Sequence, residues 1–374
     1  MKKIRIGVIF GGRSGEHEVS LVSASSVMQA LDPSVYDVVP IGITKDGRWL
    51  TGPDVHAHLA GTAGRPSPCM LAPEPGRGLL VQENGQWTDS PLDIIFPVLH
   101  GTYGEDGTIQ GVFEMADLPY VGSGVLASAA GMDKVLQKRL HAAEGLPIVE
   151  YTWFRSEEFD ADRGEILDDI ERTLGYPVFV KPPNLGSSVG ISKARTRDEL
   201  ERAIELARAY DRTVLVERGV PEAREIEVAV LGNGEAIASV PGEVIPSNEF
   251  YDYNAKYVDG ASATIIPASL DDATAEHVRV LAIAAFHATG CEGLARVDFL
   301  LSKTTGDLYL NEVNTMPGFT SISMYPKLFE ASGIAYPALL DRLVQLAFER
   351  HAQRAAVRRS FEPDVRWFAG GAGA

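Results

Sequence analysis

"ARVDFLLSKTTGDLYLNEVN" (295–314) interleaves polar and apolar side chains on either side of a turn. Residues 295–302 and 307–314 read as strands, and "SKTTGD" between them has turn chemistry, so the stretch is expected to close as a hairpin. Side chains alternate across a strand, which puts Arg296 with Asp298 on one face and Glu312 with Asn314 on one face. Pairing the strands sets Asp298 opposite Glu312 and gathers three oxygen donors beside an arginine. Hard cations such as Mg²⁺ take oxygen ligands and commonly share a few carboxylates with substrate phosphates. An ordinary solvated face would carry the same residues. The continuation "NEVNTMPGFTS" (311–321) favours a site, because Pro-Gly there offers backbone N–H groups.

Upstream, "EIEVAVLG" (225–232) and "AIASVPGEVI" (236–245) read as further strands, and "AEHVRVLAIAAFHATG" (275–290) as a helix. The middle of the chain has strands at "PVFVKP" (177–182) and "TVLVERGV" (213–220) around a polar helix near 197–209. At the start, residues 3–10 form an apolar strand. Val19, Val22, Val27 and Ala30 follow at helical spacing, with strands again at 36–44 and 93–101. This βαβ rhythm predicts a parallel-sheet unit ending near residue 130. The Gly-, Pro- and Ala-rich stretch between 52 and 91 reads as a surface insertion of little chemical interest, and the last twenty residues as a frayed tail. No internal repeat occurs.

Composition limits the partners. The 374 residues suffice for two or three domains, and a net charge of −17 argues against nucleic acid or an anionic membrane. No run approaches the roughly 18 apolar residues of a membrane span, and the chain enters a strand at once, without a signal-peptide pattern. Two cysteines, Cys69 and Cys291, are too few for a disulfide framework or thiolate metal site. A cytosolic enzyme is expected.

Three glycine-rich segments carry further chemistry. "KPPNLGSSVGIS" (181–192) leaves a strand at Lys181 and supplies small residues and hydroxyls suited to phosphate oxygens. Gly186-Ser187-Ser188-Val189-Gly190 also fits the G-x-S-x-G elbow of serine hydrolases, although that motif needs a strand directly before the serine and a helix directly after. "HGTYGEDG" (100–107) places His100 just past a strand, where ligands collect in open α/β sheets, though a hydrogen-bonded loop histidine fits equally. "GGRSGEHEVS" (11–20) lacks the second glycine of G-x-G-x-x-G and bears Glu16 and Glu18 where a phosphate would sit; His17-Glu18 lacks the second histidine of a zinc motif. No P-loop sequence is present. "FYDYNAKY" (250–257) suits either a loop folding over a site or aromatic packing.

Taken in order, "GGRSGEHEVS", "HGTYGEDG", "GSGVLASAAGMDK", "VKPPNLGSSVG", "FYDYNAKY", "ARVDF" and "NEVNTMPGFTSIS" resemble the D-alanine–D-alanine ligases of the ATP-grasp superfamily, over nearly the whole chain. The resemblance implies an α/β chain of three domains. Residues 1–130 would bind the first D-alanine, 131–222 and 223–352 would clasp ATP between antiparallel sheets, and 353–374 would be a tail. It implies that D-alanine is activated by ATP as an acyl phosphate, then attacked by the amine of a second D-alanine, supplying peptidoglycan precursors. The enzyme would be a cytoplasmic homodimer using two Mg²⁺ or Mn²⁺ ions, held by Asp298, Glu312 and Asn314.

The remaining roles come from the same likeness. Lys134, Lys181 and the backbone of Ser187, Ser188 and Val189 would meet ATP phosphates, with Lys256 near the transferred one. Glu217 and the backbone of Arg218 to Val220 would hold adenine, and Glu225 the ribose, although one extra residue separates Glu217 from Glu225 relative to the family pattern. Arg296 and the Gly318 amide would stabilise the oxyanion. Glu16 would receive the ammonium of the first D-alanine, with His100 near it, and Ser323 would bind the second substrate's carboxylate. Glu16, Ser187 and Tyr257 would link to close the active-site loop. Open alternatives are a D-alanine–D-lactate ligase, disfavoured by the intact "NAKY"; an ATP-grasp protein that binds without catalysis; and the serine hydrolase.

Overall fold

The computed structural model describes residues 2–62, 64–245, 263–358 and 360. Its first strand, β1 (Ile4–Gly11), is apolar on both faces, with Ile6, Val8, Ile9 and Phe10 fully buried. Such a strand needs cover on both sides, as parallel strands do. It pairs in parallel with β2 (Tyr36–Ile43) and with a later strand, Ile94–Val98. Between β1 and β2 runs α1 (His17–Ala30), which buries Val19, Leu21, Ala24 and Val27; Val22 is turned outward and is 57% exposed.

Residues 52–91, expected as a surface insertion, are built into the first sheet. After β3 (Trp49–Thr51) and a short α2 (Val55–Leu59), the strands β4 (Ser67–Leu71), β5 (Leu79–Glu83) and β6 (Gln86–Ser90) extend the same sheet antiparallel, ahead of β7 (Ile94–Val98). Val55, Cys69, Leu71 and Leu79 are buried, so this segment contributes core. The order is β6-β5-β4-β3-β2-β1-β7, and the sheet is mixed, with parallel pairing confined to β2, β1 and β7. Three helices follow: α3 (Thr108–Met115), α4 (Val125–Met132) and α5 (Lys134–Ala143).

A second sheet, β10-β9-β11-β8, is built from β8 (Tyr151–Arg155), β9 (Val178–Lys181), β10 (Ser192–Ala194) and β11 (Thr213–Arg218), all antiparallel. The helices α6 (Ser156–Thr173) and α7 (Arg197–Arg208) cover one face through Leu167, Ile170, Leu200 and Ile204.

The third sheet holds β12 (Ala223–Gly232), β13 (Ala236–Ala238), β14 (Gly242–Ile245), β15 (Ala263–Ile265), β16 (Gly293–Ser302) and β17 (Leu308–Asn314). Val228, Val230, Val297 and Val313 face α8 (Asp272–Ala288), which presents Val278, Ala282, Ala285 and Phe286. One face is therefore dry core; on the opposite face Ala229, Leu231 and Leu294 join the core of the first sheet, while Glu225, Glu227, Arg296 and Asp298 supply polar groups. Finally, α9 (Met324–Ala331) leads into α10 (Tyr336–Ala355), whose Leu339, Leu340, Leu343 and Val344 join the core of the first sheet. Buried Arg350 donates to the carbonyls of Tyr120, at 3.1 Å, and Gly122. No helix among the described residues is long and apolar enough to cross a membrane.

Candidate active site

The polar face of the third sheet lines a cavity of about 520 Å³, which the first and second sheets complete. Its floor is the predicted hairpin: Asp298 pairs with Glu312 and Arg296 with Asn314. The register shifts after Asp298, so that Phe299 pairs with Leu310 and Asn311 has no opposite residue. This bulge lets consecutive Asn311 and Glu312 both reach the cavity while Leu310 and Val313 both reach the core. Strict alternation along "LYLNEVN" would have put Leu310 among the carboxylates.

Arg296 organises this floor. Its Nε and Nη2 donate to the two Asp298 oxygens at 2.7 and 2.6 Å, and Nε lies 3.0 Å from Glu227 Oε2 on β12. Burial opposes its charge, but Asp298 and Glu227 outweigh that and hold the guanidinium well above its ordinary range. Asn314 Nδ2 donates to Asp298 Oδ2 at 2.9 Å. Lys134, at the start of α5, lies 3.2 Å from Glu312 Oε2 and donates to the Leu185 carbonyl at 2.9 Å. No group of three His, Cys, Asp or Glu side chains is arranged for a metal among the described residues; the oxygen set is Asp298, Glu312 and the Asn314 amide.

The second sheet supplies another charged cluster. Lys181 ends β9 and lies 2.5 Å from Glu217 Oε2, with Asn311 Oδ1 at 3.4 Å. Lys138 pairs with Glu217 Oε1. Burial, then repulsion by Lys181, push the Lys138 amino group well below the usual lysine range, and the Glu312 carboxylate only partly opposes that shift. Arg218 and Val220 reach the wall, but the Arg218 side chain turns away to the Leu174 and Thr173 carbonyls, both at 2.9 Å. Glu225, Phe179 and Ile191 also line the wall.

At the other end, the Ser187 hydroxyl donates to Glu16, joining the loop after β9 to the turn after β1. Close approach makes this possible: a Cβ on Gly186 or on Gly101 would stand 2.7 Å from Glu16 Oε2. Ser187 and Ser188 both hold left-handed backbone, with φ of 52° and 59°, a strained arrangement for non-glycine residues. The Val189 amide is used within this turn, donating to Gly186 O at 3.2 Å. Glu18 lies outside the cavity and pairs with Lys45.

Burial pushes His100 below its ordinary range despite nearby Glu16, so the ring is neutral. A carbonyl can only accept, so Nδ1–H donates to Met316 O at 3.2 Å and Nε2 accepts from Ser23 Oγ at 3.2 Å. Ser323, the residue before α9, turns its hydroxyl to Thr320 at 2.8 Å and stands close to Gly318. The α9 N-terminus thus borders the cavity with an unneutralised dipole end.

The expected residues therefore converge, apart from Val189, which does not line the wall, and Lys256 and Tyr257, which lie outside the described residues. The hydrolase reading is corrected. Five residues separate the end of β9 from Ser187, and β10, not a helix, follows Ser188, so the strand–serine–helix elbow does not form. Sequence reasoning missed Glu105, Lys138, Glu227 and Asn311. Two of them had a signal: Lys138 is one helical turn from Lys134, and Glu227 alternates with Glu225.

Glu105 accepts from the Gly101 amide at 2.7 Å. Burial, and then the Glu16 carboxylate, raise its pKa from 4.5 to about 8. Between those values the unfolded chain releases a proton that the folded protein retains, so stability falls as pH rises through that window. Glu105→Gln keeps an acceptor and should flatten this fall, raising Tm more at about pH 8 than at about pH 5. Thermal melts showing an equal change at both pH values would count against it.

Two family models, D-ala D-ala ligase N-terminus and D-ala D-ala ligase C-terminus, match residues 5–123 and 140–345. The D-alanine–D-alanine ligase of Chloroherpeton thalassium is 51% identical over 362 residues, covering 95% of this chain and 99% of that one. Among solved structures, the D-alanine-D-alanine ligase from Coxiella burnetii superposes with a TM-score of 0.82 at 36% identity, over 95% of this chain and 97% of that one. The VanG D-Ala:D-Ser ligase from Enterococcus faecalis gives 0.82 at 35%, over 92% and 100%. The chain belongs to the D-alanine–D-alanine ligase family.

Proposed function

We propose that this enzyme joins two D-alanines with ATP, in the cytoplasm and as a homodimer, to supply peptidoglycan precursors. A single observation carries the reading: Arg296, Asp298, Glu312 and Asn314 share one face of a hairpin, in the same cavity that the Glu16–Ser187 link closes.

ATP fits between the second and third sheets. Phe179 and Ile191 offer apolar walls, Glu217 and the Arg218 to Val220 backbone take the adenine edge, and Glu225 the ribose. Lys134, Lys181 and the Ser187–Ser188 turn meet the phosphates. The oxygens of Asp298, Glu312 and Asn314 suit two Mg²⁺ or Mn²⁺ ions, because Arg296 and Lys134 already hold both carboxylates oriented. Such ions neutralise phosphate charge.

Glu16 receives the ammonium of the first D-alanine, with neutral His100 bracing the turn beside it. The carboxylate oxygen of that D-alanine attacks the terminal phosphorus of ATP, releasing ADP and leaving an acyl phosphate. The second D-alanine docks its carboxylate at Ser323 and the α9 N-terminus. Its free amine then attacks the acyl carbon, the bond from carbon to the phosphate oxygen breaks, and the departing phosphate takes the proton that the nitrogen loses. The Arg296 guanidinium and Gly318 amide face the oxyanion formed in between. Enclosure matters because water would hydrolyse the acyl phosphate.

Phosphate release from ATP, with D-alanine, L-alanine and D-lactate supplied singly and in pairs, tests this. D-alanine alone should suffice, and L-alanine should fail. Equal release with all three would overturn the assignment. Asp298→Asn should cut activity by about 100-fold and weaken the Mg²⁺ dependence together; an unaltered Mg²⁺ titration would remove the hairpin from the metal site.

A further inference from the structure

Lys138 is 2% exposed and takes no part in the roles above. Burying an ammonium costs several kcal/mol even when it is paired, and an apolar side chain of similar volume is commonly as stable or more so. Its placement is nonetheless tightly specified. Asp133 caps α5 by accepting from the Val135 and Leu136 amides at 2.9 and 3.0 Å, which fixes the helix start. One turn after Lys134, Lys138 then projects beneath the second sheet, with Nζ 5.7 Å from the Tyr151 ring centre and in contact with Glu217 Oε1. Glu217 is itself fixed, because its backbone pairs with Tyr151 on one side and Phe179 on the other. Its second oxygen faces Lys181.

We propose that Lys138 is a positioning residue for base selection: by holding one Glu217 oxygen while Lys181 holds the other, it fixes an acceptor-only carboxylate at the edge where the purine 6-substituent arrives. This rests on the nucleotide placement proposed above. An amino nitrogen held against each oxygen, Lys138 at Oε1 and Lys181 at Oε2, favours the ionised carboxylate, which accepts hydrogen bonds and donates none. A 6-amino group donates to it. A 6-oxo group sets a second acceptor against it, and an unpaired buried acceptor discriminates strongly. Without Lys138, Glu217 has only Lys181 and closes on it, drawing the carboxylate off the base edge.

The test compares kcat/KM for ATP and inosine triphosphate in the full-length enzyme with saturating D-alanine and Mg²⁺. Glu217→Gln should collapse the preference for ATP. Lys138→Met should lower the ATP-to-inosine ratio by about tenfold with the D-alanine KM unchanged, and Lys138→Arg should restore most of it. If Lys138→Met lowers both nucleotides equally while Glu217→Gln collapses the ratio, Lys138 only supports the fold and the inference fails. If Glu217→Gln leaves the ratio intact, the nucleotide placement fails first. Should Lys138→Met not fold, Lys138→Gln decides the matter: a partial fall supports the role, and a wild-type ratio overturns it.

Discussion

Arg296→Met should lower kcat/KM for ligation by roughly 1,000-fold, a larger loss than any other single change on the cavity floor. Two effects add. The substitution removes the charged donor that the proposed mechanism sets at the developing oxyanion, and it takes from Asp298 and Glu227 the guanidinium they now share. Removing one partner of a buried ion pair typically costs about 3–5 kcal/mol, so the thermal midpoint should fall as well. A divalent cation would then offset part of the positive charge lost beside these carboxylates, so Mg²⁺ should raise the midpoint of Arg296→Met more than that of the wild type. Arg296→Lys keeps the charge but not the fork that meets both Asp298 oxygens, and should recover stability better than rate. Kinetics within about threefold of wild type for Arg296→Met would remove the arginine from the reaction.

The hairpin that carries this arginine was legible because strand alternation is a local rule. It correctly opposed Asp298 and Glu312. It could not disclose the bulge at Asn311, since "LYLNEVN" resolves its conflict between Leu310 and Glu312 only once a core exists on one side and a polar cavity on the other. The same limit explains residues 52–91. High Gly and Pro content marks turns, but whether the short runs between them pair depends on an available sheet edge, here β3. Glu105 and Lys138 escaped for a different reason. Glu105 belongs to a recognised segment and Lys138 lies one helical turn beyond another, yet the importance of each comes from burial and from a charged neighbour far along the chain, Glu16 in one case and Glu217 in the other. Val22 shows the converse, an apolar residue in helical register that faces outward because the docked face of α1 is set by Leu21 and Ala24.

Glu16→Gln should raise the KM for the first D-alanine by about 100-fold and leave ATP binding within about threefold. The amide has the size of the carboxylate and still accepts from the Ser187 hydroxyl, so the link between the two turns survives. What disappears is the charge that an ammonium requires. Glutamine is also the gentlest replacement, because Gly186 and Gly101 approach the carboxylate too closely for a different shape. Ser187→Ala supplies the contrast: it keeps the charge and cuts the link, so kcat should fall while the KM for D-alanine moves less. Two carboxylates near one position make the charge argument sharper. Glu16 is one of the groups that hold Glu105 near pH 8, so its neutralisation lets Glu105 ionise at lower pH and partly replace the lost charge. The KM penalty of Glu16→Gln should therefore shrink as pH rises toward 8, and adding Glu105→Gln should abolish that recovery. A penalty that stays constant with pH, or a KM unchanged by Glu16→Gln, would move the ammonium site elsewhere.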